Sequence, residues 1–364
     1  MEENFAMEKI DTGKRAQLEN DRRERLHREK PLAYEKIIRY ADKAARGEPA
    51  PAIDITYDYA CNMRCAHCCN ACFAEKSRAL TLEDLRDLSR QADQLGLGQF
   101  VISGGEPMVF PDLDGMIEAL DPSRFHIAMS TNGLLMTRER AEHLKKIGLD
   151  KVKISLDSLD EDTYNQTRQQ NGAYNKAIQG IMNAKDAGLQ VALSTLVSHQ
   201  NCISEETERL ARFAHENKMN MDAILAKAVG RWEGHEEVLV TPEDIHYLAQ
   251  LRNQYPEVHC DFFPTYGKCG GCNAVKGAVL ITKYGDVLPC AWIHISIGNI
   301  FEEPLGDILA RGFRIKWFRS HPVCLSGFDR SFIRKYMSKF YGKPLPISWR
   351  EAFTEEDFID GVME

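Results

Sequence analysis

Three cysteines near residue 65 have the spacing of ligands to an inorganic centre. Cys61, Cys65 and Cys68 form a C-x3-C-x2-C pattern directly after an apolar, strand-prone stretch at residues 52–57. Soft thiolates select zinc, copper(I) or iron–sulfur clusters. Structural zinc normally takes four protein ligands, whereas a [4Fe–4S] cluster held by three cysteines keeps one iron open for a substrate or cofactor. The pattern therefore predicts a centre with an open coordination position.

Other interpretations of these cysteines stay open on spacing alone. They could form a zinc knuckle, or they could be scattered buried thiols, since free Cys is among the most buried residue types. Cys69 and Cys72 add a second register, because Cys65, Cys68 and Cys72 also form a C-x2-C-x3-C pattern. The other motifs of the chain are needed to choose between these interpretations.

The segments that would position these cysteines alternate between strand-like and helix-like patterns. The strand-like segments lie at residues 53–57, 99–103, 126–130, 151–156, 190–195 and 222–225. Such alternation indicates βαβ units around a parallel sheet. About six repeats are too few for a complete eight-stranded barrel. We therefore expect an α/β fold with a partial barrel.

A second group of candidate residues follows these strand-like segments. Ligands of parallel α/β folds lie at the carboxyl ends of the strands. Taken alone, each motif has an ordinary explanation, such as a Gly-Gly or Asn-Gly turn, a capped strand end or a surface ion pair. Their shared position favours a binding site. The residues, in chain order, are Gly104, Gly105, Glu106, Ser130, Asn132, Ser155, Asp157, Arg168 and Leu196.

With these motifs in place, residues 52–226 resemble the radical S-adenosylmethionine (SAM) enzymes. The resemblance implies a partial (βα)6 barrel similar to a TIM barrel. It also implies that SAM binds the open iron of a [4Fe–4S] cluster, which splits SAM into methionine and a 5′-deoxyadenosyl radical. The implied cluster ligands are Cys61, Cys65 and Cys68.

The resemblance also assigns the residues at the strand ends to SAM. Glu106 would accept the SAM ammonium group, Arg168 would clamp its carboxylate, and Leu196 would border the adenine. A bidentate guanidinium suits a carboxylate because its donors form a planar fork. The remaining residues assigned to the SAM site are Gly104, Gly105, Ser130, Asn132, Ser155 and Asp157.

Five cysteines near the C-terminus suggest a second inorganic centre. Two of them flank a predicted β-hairpin at residues 278–288, and a distal cysteine follows a Gly-Asn-Ile segment. This pattern resembles the SPASM domain in its shortened Twitch form, which holds auxiliary [4Fe–4S] clusters. The resemblance assigns one auxiliary [4Fe–4S] cluster to Cys269, Cys272, Cys290 and Cys324.

The remaining cysteines leave alternatives open. A zinc site built on Cys269 and Cys272 is the alternative to the auxiliary cluster. Cys260 is either a spare thiol or a replacement ligand. Cys202 follows the fifth strand on the predicted active-site face, where a thiol could act in catalysis by donating a hydrogen atom to a substrate radical. The alternative is an inert, small apolar side chain.

The bulk composition excludes several classes of protein. A net charge of −8 argues against nucleic-acid binding, which needs a basic surface. No apolar run approaches the ~18 residues of a membrane helix, and no export signal is visible at the start. Eleven cysteines without export indicate a reducing, cytoplasmic location in which clustered thiols bind metal.

The motifs divide the 364-residue chain into five expected regions. They are a charged helical extension at 1–50, the barrel at 51–226, a bridging region at 227–258, an auxiliary-cluster domain at 259–327 and a helical tail at 328–364.

The expected function is that of a radical SAM oxidoreductase or maturase that modifies a peptide or protein by oxidation, cross-linking or epimerisation. This follows the habit of most SPASM and Twitch relatives. One alternative is a dehydrogenase, epimerase or rearrangement enzyme acting on a small metabolite such as a sugar, cyclitol or nucleotide. Another is a non-catalytic iron–sulfur sensor or scaffold. The expected partners are the substrate and an electron donor such as flavodoxin or ferredoxin.

Overall fold

The computed structural model describes residues 12–70, 73–260, 271–319 and 321–363. The first three helices are α1 (Thr12–Glu29), α2 (Pro31–Ile37) and α3 (Tyr40–Ala45). The barrel elements are β1 (Ala52–Thr56), α4 (Leu82–Gln94), β2 (Gln99–Ser103), α5 (Leu113–Ala119), β3 (His126–Thr131), α6 (Arg138–Lys146), β4 (Lys151–Ser155), α7 (Glu161–Arg168), α8 (Ala173–Asp186), β5 (Gln190–Val197), α9 (Glu205–Glu216) and β6 (Asn220–Leu225).

The C-terminal part is built from shorter elements. They are α10 (Pro242–Gln254), β7 (Val258–Cys260), β8 (Ala278–Ile281), β9 (Asp286–Leu288), β10 (Ile295–Ser296), β11 (Gly298–Asn299), α11 (Leu305–Arg314), α12 (Lys316–Arg319), α13 (Arg330–Lys335), β12 (Ile347–Ser348) and α14 (Trp349–Ala352). None of the described helices is long and apolar enough to cross a membrane.

Among the described residues, the main sheet has ten strands in the order β11-β9-β8-β1-β2-β3-β4-β5-β6-β7. The six strands predicted from the sequence are β1–β6, each within two residues of its predicted ends, and all pair in parallel. The predicted α/β fold is therefore confirmed. Two strands that the prediction placed outside the barrel extend the parallel run, because β8 pairs with β1 and β7 pairs with β6.

Strand periodicity separates the core from the lumen of the barrel. On β1, Ile53 and Ile55 are fully buried, whereas Ala52 and Asp54 line an internal cavity. On β4, Val152 is likewise buried. Successive side chains of a strand point to opposite faces, and each buried aliphatic side chain stabilises the fold by about 1.5–3 kcal/mol. The apolar face of each strand therefore holds the helices, and its other face is available to a ligand.

The helices start where side chains satisfy their free backbone amides. Thr81 caps α4, and Asp84 completes a capping box with the Thr81 amide. The same arrangement at Thr241 and Asp244 starts α10, with Pro242 in the first turn. Such caps contribute about 1 kcal/mol each.

The N-terminal helices close the end of the barrel at which its strands begin. Arg22 of α1 donates to His259 at 3.2 Å and to Asn220, the first residue of β6. Lys30 lies 3.1 Å from Asp150, which precedes β4. The Tyr40 hydroxyl accepts the amide of the residue before β2 at 2.8 Å. These contacts hold the N-terminal helices against the end of the barrel at which the strands begin.

Candidate functional site

The cysteine loop after β1 is held by backbone contacts. Ala66 donates to the carbonyl of Thr167 at 3.1 Å, and Arg231 donates to the carbonyl of Cys68 at 3.0 Å. Gly230 has a φ of +61°, and a Cβ there would lie 2.3 Å from the Cys68 carbonyl oxygen. Only glycine therefore allows this segment to approach the loop so closely.

The three thiols of this loop are accessible to differing degrees. Cys61 is exposed, and Cys65 and Cys68 are half-buried. Burial raises the pKa of Cys61, the Met63 amide opposes this rise, and the charges of the other two thiols add to it. The three thiols thus lie within electrostatic range of one another. Among the described residues, no three Cys, His, Asp or Glu side chains converge closely enough for a single metal ion.

The alternative register of cysteines is only partly visible. Burial raises the pKa of Cys69 to about 12, so its thiol is protonated at neutral pH. Cys72, the third member of that register, lies outside the described residues. On the donor set that is described, three thiols on one loop suit a [4Fe–4S] cluster that keeps one iron for another ligand.

The two glycines after β2 bring that strand against the cysteine loop. A Cβ at Gly104 would lie 2.3 Å from the carbonyl oxygen of Asp58, and one at Gly105 would lie 2.0 Å from that of Ala60. The amide of Gly105 donates to the Asp58 carbonyl at 2.9 Å. The glycines therefore permit backbone packing of two loops, in addition to the close approach of a ligand that the sequence suggested.

Glu106 is a buried carboxylate beside the cysteine loop. It accepts hydrogen bonds from the Thr131 hydroxyl at 2.5 Å and from the amides of Asn132 at 2.7 Å and Met108 at 3.1 Å. Burial raises its pKa, and these three bonds oppose the rise. The Asn132 side chain in turn donates to Asn62, within the cysteine motif, at 2.7 Å. A carboxylate has about four acceptor positions, so one remains for an ammonium group.

Arg168 and Asp157 form a buried ion pair on the other side of the loop. Their side chains are each 8% exposed, and the two charged groups are 2.5 Å apart. The second guanidinium nitrogen donates to the Cys65 sulfur at 3.7 Å, and Asp157 also accepts the amide of Leu196 at 2.9 Å. Burial lowers the pKa of Arg168, but the charges of Asp157, Tyr164 and Cys65 together outweigh burial, so the net pKa is raised. The charged guanidinium thus stays beside the cysteines.

The other predicted SAM residues lie at the same edge of the sheet. Ser130 and Ser155 are half-buried in β3 and β4, and the Ser155 carbonyl accepts the Tyr164 hydroxyl at 3.0 Å. The sequence analysis overlooked Thr131 and Tyr164. Thr131 stands inside the Ser-Thr-Asn-Gly segment that follows the third strand, so its position carried a signal. Tyr164 lies within α7 and carried none.

The C-terminal cysteines converge on a second place. The β8–β9 hairpin and the turns beside it bring Cys272, Cys290 and Cys324 to one wall of the lumen. Burial raises the pKa of Cys272 to about 12, and the neighbouring thiols of Cys324 and Cys290 add to it. Burial likewise raises the pKa of Cys290 to about 11. Three soft ligands in range of one another suit a second cluster. Cys269, the fourth predicted ligand, lies outside the described residues.

Cys260 and Cys202 take different places. Cys260 ends β7 and lines the lumen. Cys202 is fully buried, donates to the Asp244 carbonyl at 3.5 Å and is not among the described residues that line the lumen. Burial raises its pKa. The predicted hydrogen-donor role of Cys202 stays a prediction, and this position does not favour it.

The lumen itself is a cavity of about 350 Å³ whose mostly apolar wall carries several charged side chains. The strands contribute a layer of charged side chains, Asp54, Lys151, Lys153 and Asp222. The opposite wall carries the auxiliary cysteines and Trp292. Branched apolar residues usually fill parallel barrels, whereas this lumen is open and presents charged groups that a ligand could contact. The sequence analysis did not single out these charges, although the alternation in Lys-Val-Lys-Ile-Ser of β4 carried the signal.

Comparison with known proteins agrees with both cysteine sites. The radical SAM superfamily matches residues 56–214, and the SPASM iron–sulfur cluster-binding domain matches residues 272–327. The chain is 31% identical over 300 residues to a GTP 3′,8-cyclase of Marinobacter nauticus, covering 75% of this chain and 84% of that protein. It is 24% identical over 278 residues to an AdoMet-dependent heme synthase of Methanosarcina barkeri, covering 68% and 78%.

Other relatives are matched over a smaller share of their length. The chain spans 63% of a probable GTP 3′,8-cyclase of Methanocella arvoryzae, at 30% identity over 195 residues that make up 53% of this chain. Among solved structures, SuiB of Streptococcus suis bound to its precursor peptide SuiA superposes with a TM-score of 0.57 at 19% identity, covering 78% of this chain and 69% of SuiB. This likeness shows a shared fold.

The predictions of the family, the enzyme class and the cofactors are confirmed, since both domains and the relatives imply SAM and [4Fe–4S] clusters. The roles of single residues and the five domain boundaries stay predictions. The chain belongs to the radical SAM superfamily and carries a SPASM iron–sulfur domain.

Proposed function

We propose that this enzyme abstracts a hydrogen atom from a small polar metabolite held in the barrel lumen, between the cysteine loop and the auxiliary cysteines. The observation that carries the proposal is the charged lumen of about 350 Å³, whose wall includes Cys272, Cys290 and Cys324. When bound, the cluster and SAM supply a 5′-deoxyadenosyl radical, and the chemistry of that radical belongs to the cofactor.

The protein's own residues would hold and orient the cofactor. Cys61, Cys65 and Cys68 would hold the first cluster. Glu106 would take the SAM ammonium group at its remaining acceptor position, and Arg168, fixed by Asp157, would present a cation to the SAM carboxylate. Charged hydrogen bonds of this kind are stronger than neutral ones.

The lumen would hold the substrate away from bulk water. Arg22 and the other residues of α1 close its lower end. Trp292 stands on the wall beside the auxiliary cysteines. A substrate in the lumen would contact the wall that carries Cys272, Cys290 and Cys324. Closure also protects a radical from solvent, since enclosed sites suppress side reactions.

Size and polarity favour a small metabolite over a peptide for this lumen. About 350 Å³ is at the lower end of ordinary small-molecule sites. The relatives of 24–31% identity are named as a GTP cyclase and a heme synthase, and both names describe small-molecule chemistry. The expectation of peptide modification stays a prediction, because the peptide-bound SuiB resembles this chain in fold alone. The expected flavodoxin or ferredoxin donor and the cytoplasmic location likewise stay predictions.

A substrate screen with a blocked lumen tests the proposal. The reconstituted enzyme would be reduced with SAM, and 5′-deoxyadenosine would be measured against pools of nucleotides, sugar phosphates, amino acids and tryptic peptides. Ala128 lines the lumen, so Ala128→Phe is expected to abolish substrate stimulation while substrate-free SAM cleavage continues. Ala16→Phe, on the exposed face of α1, is the matched control. Stimulation by the peptide pool alone would overturn the proposal.

A further inference from the structure

Two lysines of β4 face the lumen and share one carboxylate. Lys151 and Lys153 alternate with the fully buried Val152 and Ile154, so both ammonium groups reach the cavity. Their nitrogens lie 4.0 Å and 3.8 Å from the same oxygen of Asp222. Within the part of the chain that the structure describes, neither lysine has a hydrogen bond to a protein acceptor.

The other charges of the lumen are engaged elsewhere. Asp54, on β1, accepts the Ser103 hydroxyl and forms no ion pair with either lysine among the described residues. Burial raises its pKa to about 6, despite the field of Lys153. Arg22, at the floor, is 3.3 Å from Glu19. Among the described residues of the lumen, Lys151 and Lys153 therefore have ammonium groups that can still donate hydrogen bonds to a ligand.

Enclosed ammonium groups without acceptors are unfavourable. Burying a charge, even in part, is unfavourable unless a partner replaces the lost hydration. Lys151 reflects this cost, since burial lowers its pKa, Asp222 opposes the fall, and Lys153 adds to it. An anion between the two lysines would supply acceptors to both.

We propose that Lys153, backed by Lys151, binds an anionic group of the substrate, either a phosphate or a carboxylate. This inference rests on the proposed function, because it takes the lumen as the substrate site. Lys153 stands two residues before Ser155 on the same face of β4, a rise of about 6.6 Å. An anion held there leaves the carbon skeleton of the substrate directed toward the strand ends, where the SAM residues lie.

Binding of simple anions to the reconstituted, SAM-loaded enzyme tests the inference. Inorganic phosphate and glutarate are titrated separately by calorimetry, and phosphate is also followed by the ³¹P relaxation that a reduced cluster induces nearby. Lys153→Gln is expected to weaken the bound anion by about tenfold, with Lys151→Gln as a second variant. Lys176→Gln, on an exposed position of α8, is expected to change nothing.

Asp222→Asn is expected to change anion affinity in the opposite direction. Removing the shared carboxylate leaves both lysines for the ligand, so anion affinity is expected to rise severalfold, whereas a structural defect of the lumen would lower it. Binding of phosphate alone identifies a phosphate ester, and binding of glutarate alone a carboxylate. The inference is overturned if the wild type does not bind either anion, if both lysine variants bind as tightly as the wild type, or if Asp222→Asn binds more weakly.

Substrate-free formation of 5′-deoxyadenosine is recorded for every variant. Its retention shows that the radical SAM machinery is intact, so that a negative anion result then counts against the lysine site alone. If the wild type itself forms no 5′-deoxyadenosine, the result would instead count against the proposed function.

Discussion

The two cysteine sites differ in how they meet solvent. The first lies on a loop, and one of its thiols, Cys61, is exposed. In the second, Cys272 and Cys324 are buried and open onto the lumen. An exposed cluster is accessible to an external electron donor, whereas a cluster behind the lumen exchanges electrons most directly with what the lumen holds. From this difference we propose that the first site receives electrons from a donor and that the second faces the substrate.

The largest expected effects are losses of iron and of SAM cleavage when the cysteines of one site are replaced. A Cys61/Cys65/Cys68→Ala triple variant is expected to lose about four irons and all formation of 5′-deoxyadenosine. A Cys272/Cys290→Ala variant is expected to lose a similar amount of iron yet keep substrate-free SAM cleavage. Iron analysis and chromatography of anaerobically reconstituted protein measure both. If SAM cleavage needs the second set of cysteines, the division of roles is wrong.

The second prediction concerns the buried ion pair of Arg168 and Asp157, which lies beside the cysteine loop. Asp157→Asn leaves the Arg168 guanidinium buried without its partner, so the free energy of unfolding is expected to fall by about 3–5 kcal/mol and SAM affinity to fall with it. Denaturant titration and equilibrium dialysis measure these. Glu236→Gln breaks an exposed pair with Arg334 and is expected to be silent. Equal behaviour of the two variants would contradict a special role for the buried pair.

Glycines beside each site allow a matched comparison. Gly230→Ala places a Cβ 2.3 Å from the Cys68 carbonyl oxygen, and Gly271→Ala places one 2.2 Å from the His321 carbonyl oxygen. Each is expected to cost about 1–3 kcal/mol and to reduce iron at its own site only. Gly342 also has a positive φ, but a Cβ there would have nothing within 4 Å. Gly342→Ala therefore measures the cost of backbone strain in the absence of a steric clash. Iron loss at both sites from one variant would show that the sites are coupled.

The smallest expected effect is a pH dependence of stability that arises from Asp54 in the lumen. The folded-state pKa of Asp54 is raised from 3.8 to about 6, chiefly by burial. Its protonated form is therefore favoured by folding, and this contribution to stability is lost as pH rises through about 6. Relative to Asp54→Asn, the free energy of unfolding of the wild type should fall by about 1 kcal/mol between pH 5 and pH 7.5. Denaturant titration measures this change. A constant difference between the two proteins would contradict the raised pKa.

Sequence-based prediction was most complete where the signal is local. The cysteine spacings and the six strands β1–β6 depend on residues close in the chain, and the structure contains the predicted strands. The candidate SAM residues at strand ends could be located because parallel strands bring their carboxyl ends to one edge. What each side chain does there is harder to predict, as Arg168 illustrates. The prediction was a clamp on the SAM carboxylate with a surface ion pair as the alternative, and the structure adds a buried ion pair with Asp157.

The sequence by itself determined the chemistry of this protein: two sets of thiols suited to iron–sulfur clusters, on a repeating βα framework. Only the tertiary structure decided the lumen. Arg22 and His259 are 237 residues apart in sequence, and Lys153 meets Asp222 across β5. Burial of Cys202 against α10 is likewise a long-range packing result. Contacts of this kind depend on which faces the folded strands turn inward, and no local pattern encodes the partner that each charge will find.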